Sequence, residues 1–133
     1  MNEEQQLELF ETEEPLTYKD FRPDGLVFMG RNISVSFIEE GPWGSDAYGD
    51  FYAKEQRIRV LEGLTPIEEM DTFLHEVIHM VMFYMHIMMG QVDEEMITHR
   101  LATGLSSVLV ENPHVAEYIS AISATSTTEI IED

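Results

Sequence analysis

From Thr65 to Met89 the chain contains no glycine and a single proline, and that proline falls where a helix tolerates one. Thr65 followed three residues later by Glu68 is a capping-box pattern, and Pro66 takes the first helical position. Gly90 is placed as the stop, so the pattern predicts one long helix from Pro66 to Met89. From Phe73 onward it is apolar on nearly every face, which predicts a helix buried all round. The exceptions are one Glu and three His. They make a membrane span costly, and the apolar run is too short for one.

Within this helix stands His75-Glu76-Val77-Ile78-His79, an H-E-x-x-H motif. Residues four apart stack on one helix face, so His75 and His79 can aim imidazole nitrogens at one metal ion. Glu76 projects beside the same point, where it can take a proton from a metal-bound water. The plain alternative is a pair of core histidines bonded to backbone carbonyls, but two His and a Glu are costly to bury without a partner. The chain has no cysteine. Any zinc must therefore be held by His and carboxylate, the ligand set of catalytic rather than structural sites.

A zinc site needs a third protein ligand. The positions three and six after His79 are Met82 and Met85, which excludes a third His at the metzincin spacing. His86 shares the face of His75 but lies roughly 10 Å beyond His79 along a straight helix, so it is expected to be a core or pocket-wall residue rather than a ligand. The remaining candidates, Asp93, Glu94 and Glu95, open the next helix, expected from about Asp93 to Glu111: Glu95 is preferred, with Glu94 and His99 as alternatives. Glu94 and Glu95 also have an ordinary reading as first-turn acids that complement the helix dipole.

The rest of the chain supplies a frame. Apolar alternation predicts short strands at Leu26–Met29, Ile33–Ile38, Tyr48–Tyr52 and Arg57–Leu61. Three of the seven bases, Lys54, Arg57 and Arg59, lie in or beside the last of these, which suits an exposed edge strand. Leu101, Leu105, Val108 and Leu109 form the apolar face of the second helix. Asn112-Pro113 ends it, and a third helix runs from about His114 to Ala124. The fold class is α+β, a sheet of three to four strands packed on the motif helix and two further helices. The organisation is an acidic tail (1–14), a single domain (15–124) and a loose C-terminal end (125–133).

These residues resemble zincin metallopeptidases of the gluzincin type, and more narrowly the short, phage-type ImmA/IrrE-like proteins. The resemblance covers about residues 26–110, and its specific part is the H-E-x-x-H motif. It implies a minimal zincin domain in which a Glu opening the following helix, here Glu95, completes the metal site. His99 stands where the family usually has Asn or Asp. It implies zinc-dependent hydrolysis of a peptide bond, with Glu76 as general base and the substrate laid along the edge strand before the motif helix, about Arg57 to Leu61. An oxyanion donor is also required, and Tyr48, Tyr52, Tyr84, His86 and Arg100 are the candidates for oxyanion or pocket roles.

Charge narrows the partners. Seven bases stand against 26 acids, a formal net charge of −19. Removing residues 1–14 takes six acids away and leaves 20 against seven, still −13. This argues against direct nucleic-acid binding and against an anionic membrane surface. The acidic start has no signal-peptide character, so a cytoplasmic setting is expected, the host cytoplasm if the protein is phage-encoded. The acidity also supports a different class of function: a non-enzymatic DNA mimic or partner-binding protein, with a structural metal or none. Within the tail, Gln6, Leu7, Leu9 and Phe10 resemble the peptide by which bacterial proteins dock on the sliding clamp.

Overall fold

Three of the four strands alternate buried and more open side chains, and the fourth, Gly49–Tyr52, has none fully buried. A computed structural model describes residues 15–44, 47–87 and 93–132, with 126–132 as backbone. Four strands, β1 (Gly25–Phe28), β2 (Arg31–Ile38), β3 (Gly49–Tyr52) and β4 (Arg57–Leu61), form one open mixed sheet in the order β1-β2-β4-β3. β1 and β2 make a hairpin through Met29 and Gly30, whose φ values of 50° and 75° match the right-handed strand twist. β2 pairs with β4 in parallel, Val35 opposite Ile58, and β3 pairs with β4 antiparallel, Phe51 opposite Ile58.

This order corrects the expectation for Arg57–Leu61. β4 is an interior strand, and the edge beside the motif helix is β3. Ile58 and Val60 point into the core. Arg57 and Arg59 therefore lie on the opposite face, where Arg59 pairs with Asp50 across the strands and Arg57 with Glu55. The arginines mark the outer face of a central strand, not an edge.

Three helices cover the other face. α1 (Pro66–Tyr84) starts as expected, the Thr65 side chain accepting from the Glu68 N–H at 3.2 Å. It stops earlier than Met89. His86 takes a left-handed conformation (φ 54°), the Ile87 N–H reaches back to the Met82 carbonyl at 2.9 Å, and the His86 N–H bonds the Phe83 carbonyl. This is a Schellman closure with His86 in the place glycine usually takes; Gly90 lies outside the described residues. α1 is also not buried all round. Phe73, Val77, Met80 and Val81 fill the core, while His75, Ile78, His79 and Phe83 are exposed. The sheet ends at β3, so that face of the helix borders a groove.

α2 (Glu94–Glu111) packs through Leu101, Leu105 and Val108, but Leu109 is exposed. Its close approach to α1 depends on Gly104, where an added Cβ would come within 2.4 Å of Val81. Buried Asn112 ends the helix and pairs with both the N–H and the carbonyl of Val27, covering the free edge of β1. α3 (Pro113–Glu132) buries Val115, Tyr118 and Ile122 and continues as helix beyond Ala124 through the segment expected to be loose. Once nucleated by packing, a helix extends at one backbone bond per residue.

A buried ion cluster ties these layers together. Glu69, on the first turns of α1, is fully buried. It accepts from the Arg22 guanidinium and from the Tyr118 hydroxyl at 2.7 Å. Arg22 also holds Glu62 with two bonds, of 2.7 and 2.9 Å, and stacks on Phe37. The Arg22 hydrogen bonds hold the Glu62 carboxyl below its usual range. Burial and the Glu69 carboxylate push the Tyr118 hydroxyl up.

Candidate metal centre

The motif occupies the middle turns of α1, on the face that borders the β3 edge. His75 and His79 stand one turn apart with both rings exposed, and their Nε2 atoms are 3.1 Å from each other. Two nitrogens at about 2.0–2.1 Å from one tetrahedral ion would be roughly 3.3 Å apart. The two rings thus already present their ε nitrogens at nearly the spacing that a shared ion requires. One donor atom from each of His75, Glu76 and His79 lies within 4.8 Å of the others, and this is the only such group among the described residues.

Glu76 differs from its neighbours in being buried, 6% exposed. Among the described residues no hydrogen bond reaches its carboxylate. Burial pushes its pKa up; the two imidazoles oppose that shift and the Asp50 charge adds to it. An unpartnered, partly desolvated carboxylate next to two imidazoles is a base kept reactive rather than neutralised by a fixed cation.

The facing wall is β3. Gly49 lies inward, and a Cβ there would come within 2.6 Å of the Arg59 carbonyl oxygen, 2.9 Å of Thr72 and 3.5 Å of Glu76. Only glycine lets the edge strand come this close to the motif helix. Asp50, next along, is fixed on the outer face by Arg59 (Nε at 3.0 Å) and by the Trp43 indole N–H at 2.9 Å. Burial raises its pKa, but these bonds outweigh burial and hold the carboxyl below its usual range. Between β3 and α1 runs an open groove of about 570 Å³ that contains His75, Glu76 and His79, with Met82, Phe83 and Ile87 beyond them. A smaller recess continues past His75 toward Tyr48 and Asp71.

The remaining predicted residues are distributed unevenly. Glu94, Glu95 and His99 are exposed on the first turns of α2 and do not join the three-residue group. The N-cap of that helix is Asp93, which accepts from the Met96 N–H at 2.8 Å. Among the oxyanion and pocket candidates, Tyr48 lines the recess beside His75 and Glu76. Tyr52 is exposed at the far end of β3 beneath Arg57. His86 forms the helix closure, and Arg100 donates to the His86 carbonyl at 3.2 Å. Tyr84 is a core residue against Phe28 and Phe51. Gln6, Leu7, Leu9 and Phe10 lie outside the described residues. Gly49, Asp71 and Phe83 also border the site, though none is among the residues expected there. Asp71 and Phe83 carried a usable signal, since each stands four residues from one of the motif histidines.

Comparison of the chain with protein-family models, with curated proteins and with solved structures finds no match. Among the described residues no helix is long and apolar enough to cross a membrane. The chemistry available at the site is a His-Glu-His donor set that fits a metal ion.

Proposed function

We propose that the protein is a zinc-dependent peptide hydrolase, the reading that the zincin and ImmA/IrrE-like resemblance also implies. The observation that carries it is the pairing of two converging imidazoles with a buried, unpartnered Glu76 in a groove walled by an edge strand. His75 and His79 would hold the ion. Glu95 is proposed as the third ligand, with Glu94 and His99 as alternatives, since catalytic zinc takes three protein ligands. When bound, zinc supplies a Lewis acid that makes water acidic near neutral pH and polarises a carbonyl.

The chain's own residues do the rest. The free backbone groups of β3 grip an extended peptide as an added strand, which brings one carbonyl to the motif face. This role moves from Arg57–Leu61 to Gly49–Tyr52, because only β3 has an unpaired edge there. The Glu76 carboxylate accepts the proton of the attacking water and delivers it to the leaving amine nitrogen. Tyr48, which lines the recess, would donate to the oxyanion.

The test is zinc content and hydrolysis of a peptide library measured together. Glu76→Gln should keep zinc and lose at least a hundredfold in rate. His75→Ala and His79→Ala should lose both, and Glu95→Ala should weaken zinc binding. Zinc retained by both histidine variants would sink the site assignment.

A second reading has one observation behind it. Lys19, Arg22, Arg57 and Arg59, four of the seven bases, are held in ion pairs with acids, so little free positive charge is left beside the excess of 19 acids. A non-enzymatic acidic protein that occupies a basic partner would need no Glu76. It predicts that Glu76→Gln leaves partner binding intact while neutralising surface acids removes it.

A further inference from the structure

The exposed stripe of α1 reads Asp71, His75, His79, Phe83, each four residues from the last. At 1.5 Å per residue the stripe spans about 18 Å, the length of roughly five residues of extended chain. Its two ends differ in chemistry. Asp71 is exposed beside the Tyr48 recess, and among the described residues no cation pairs with it. Phe83 is 57% exposed at the other end, edge-on to Phe51 at 6.1 Å, with Met82 and Ile87 in the same wall.

An aromatic ring left this open beside a groove gains most when a ligand's apolar side chain covers it. An unpaired acid at the opposite end, on a chain of net charge −19, favours a cation there and steers it in. We infer that the groove selects an extended peptide with a basic side chain at the Asp71 end and a large apolar side chain at the Phe83 end, one on each side of the reacting carbonyl. The inference rests on the peptidase reading. It adds to it the class of substrate and two specificity-determining residues.

The experiment uses the full chain loaded with zinc and carrying Glu76→Gln, with fluorescein-labelled nonapeptides as probes. Each peptide has one Phe and one Lys separated by two to four residues, in both orders. Control peptides have Glu in place of Lys, or Ser in place of Phe. At least one Phe/Lys peptide should bind tenfold or more tightly than either of its controls. Adding Asp71→Lys should invert the charge preference, and adding Phe83→Ser should erase the apolar one. Both positions are exposed, and thermal unfolding checks that the variants fold. Raising the salt should weaken the Lys preference and leave the Phe preference.

Equal binding across the set, no binding by any member, or preferences that survive both substitutions would overturn the inference. Hydrolysis by the unmodified protein is read separately. Cleavage without these preferences overturns the inference and leaves the proposed function standing. Binding with them but no cleavage supports the inference and removes the hydrolase reading.

Discussion

Two glutamates one heptad apart on α1 meet opposite surroundings. Glu69 and Glu76 lie on nearly the same side of the helix, and both are buried. Glu69 is fully satisfied: Arg22 and Tyr118 donate to it, and the cluster ties the N-terminal segment to α1 and α3. Glu76 has two imidazoles at hand and an open groove before it, with no fixed donor. The difference teaches how to read a buried acid. One whose acceptors are filled by the fold holds the fold together. One whose acceptors are left unfilled is free to do chemistry.

The largest test of this contrast removes each acid in turn. Glu69→Ala should cost about 3–5 kcal/mol in urea unfolding, because Arg22 keeps only Glu62 and part of its charge is left uncompensated. Glu76→Ala should cost under about 1 kcal/mol in the metal-free protein while abolishing hydrolysis. If the two variants were equally destabilised, the contrast would be gone.

At the groove, Gly49→Ala should lower hydrolysis about tenfold to a hundredfold with a smaller loss of stability. The added methyl clashes with the Arg59 carbonyl and with Thr72, which pushes the edge strand off β4 and the motif helix. A fully active Gly49→Ala protein would show that the strand's approach does not matter. In the cluster, Tyr118→Phe should cost about 1–2 kcal/mol, since one Glu69 oxygen loses a donor but keeps Arg22. Denaturant midpoints measure this loss.

The smallest effect is in pH dependence, and the two ends of the cluster-to-groove axis should show opposite signs. Glu62 is held low by Arg22, so its stabilisation is present above the ordinary carboxylate range and is lost as pH falls through its folded value. Glu76 is pushed up by burial, so it favours the folded state at low pH and weakens it as pH rises from the ordinary range to the raised value. Unfolding of metal-free protein between about pH 3 and 7 should therefore show Glu62→Gln losing its penalty in acid. Glu76→Gln should gain relative stability toward neutral pH. Parallel pH curves for the two variants would contradict the assigned causes.

Much of this was legible in the chain. Thr65, Pro66 and Glu68 mark the start of α1, and the four-residue spacing places His75 and His79 on one face, because capping and helical period are local properties. The absence of cysteine limits the donors to imidazole and carboxylate. The apolar pattern marks the four strands to within two residues at each end. Other features depend on contacts distant in sequence. Arg57 and Arg59 look like edge residues until β2 is seen to pair with β4 from the other side, leaving β3 exposed. Arg22, Glu62, Glu69 and Tyr118 are far apart along the chain and meet only because tertiary packing brings the N-terminal segment, the end of β4, α1 and α3 together. Gly49 is an unremarkable strand glycine until Glu76 lies beneath it. The sequence by itself determined the helix, the motif and the ligand chemistry, all set by neighbours within a turn or two. Only the tertiary structure decided which strand borders the site, which buried acid is satisfied and which side of the motif helix stays open, because those depend on what packs against each side chain.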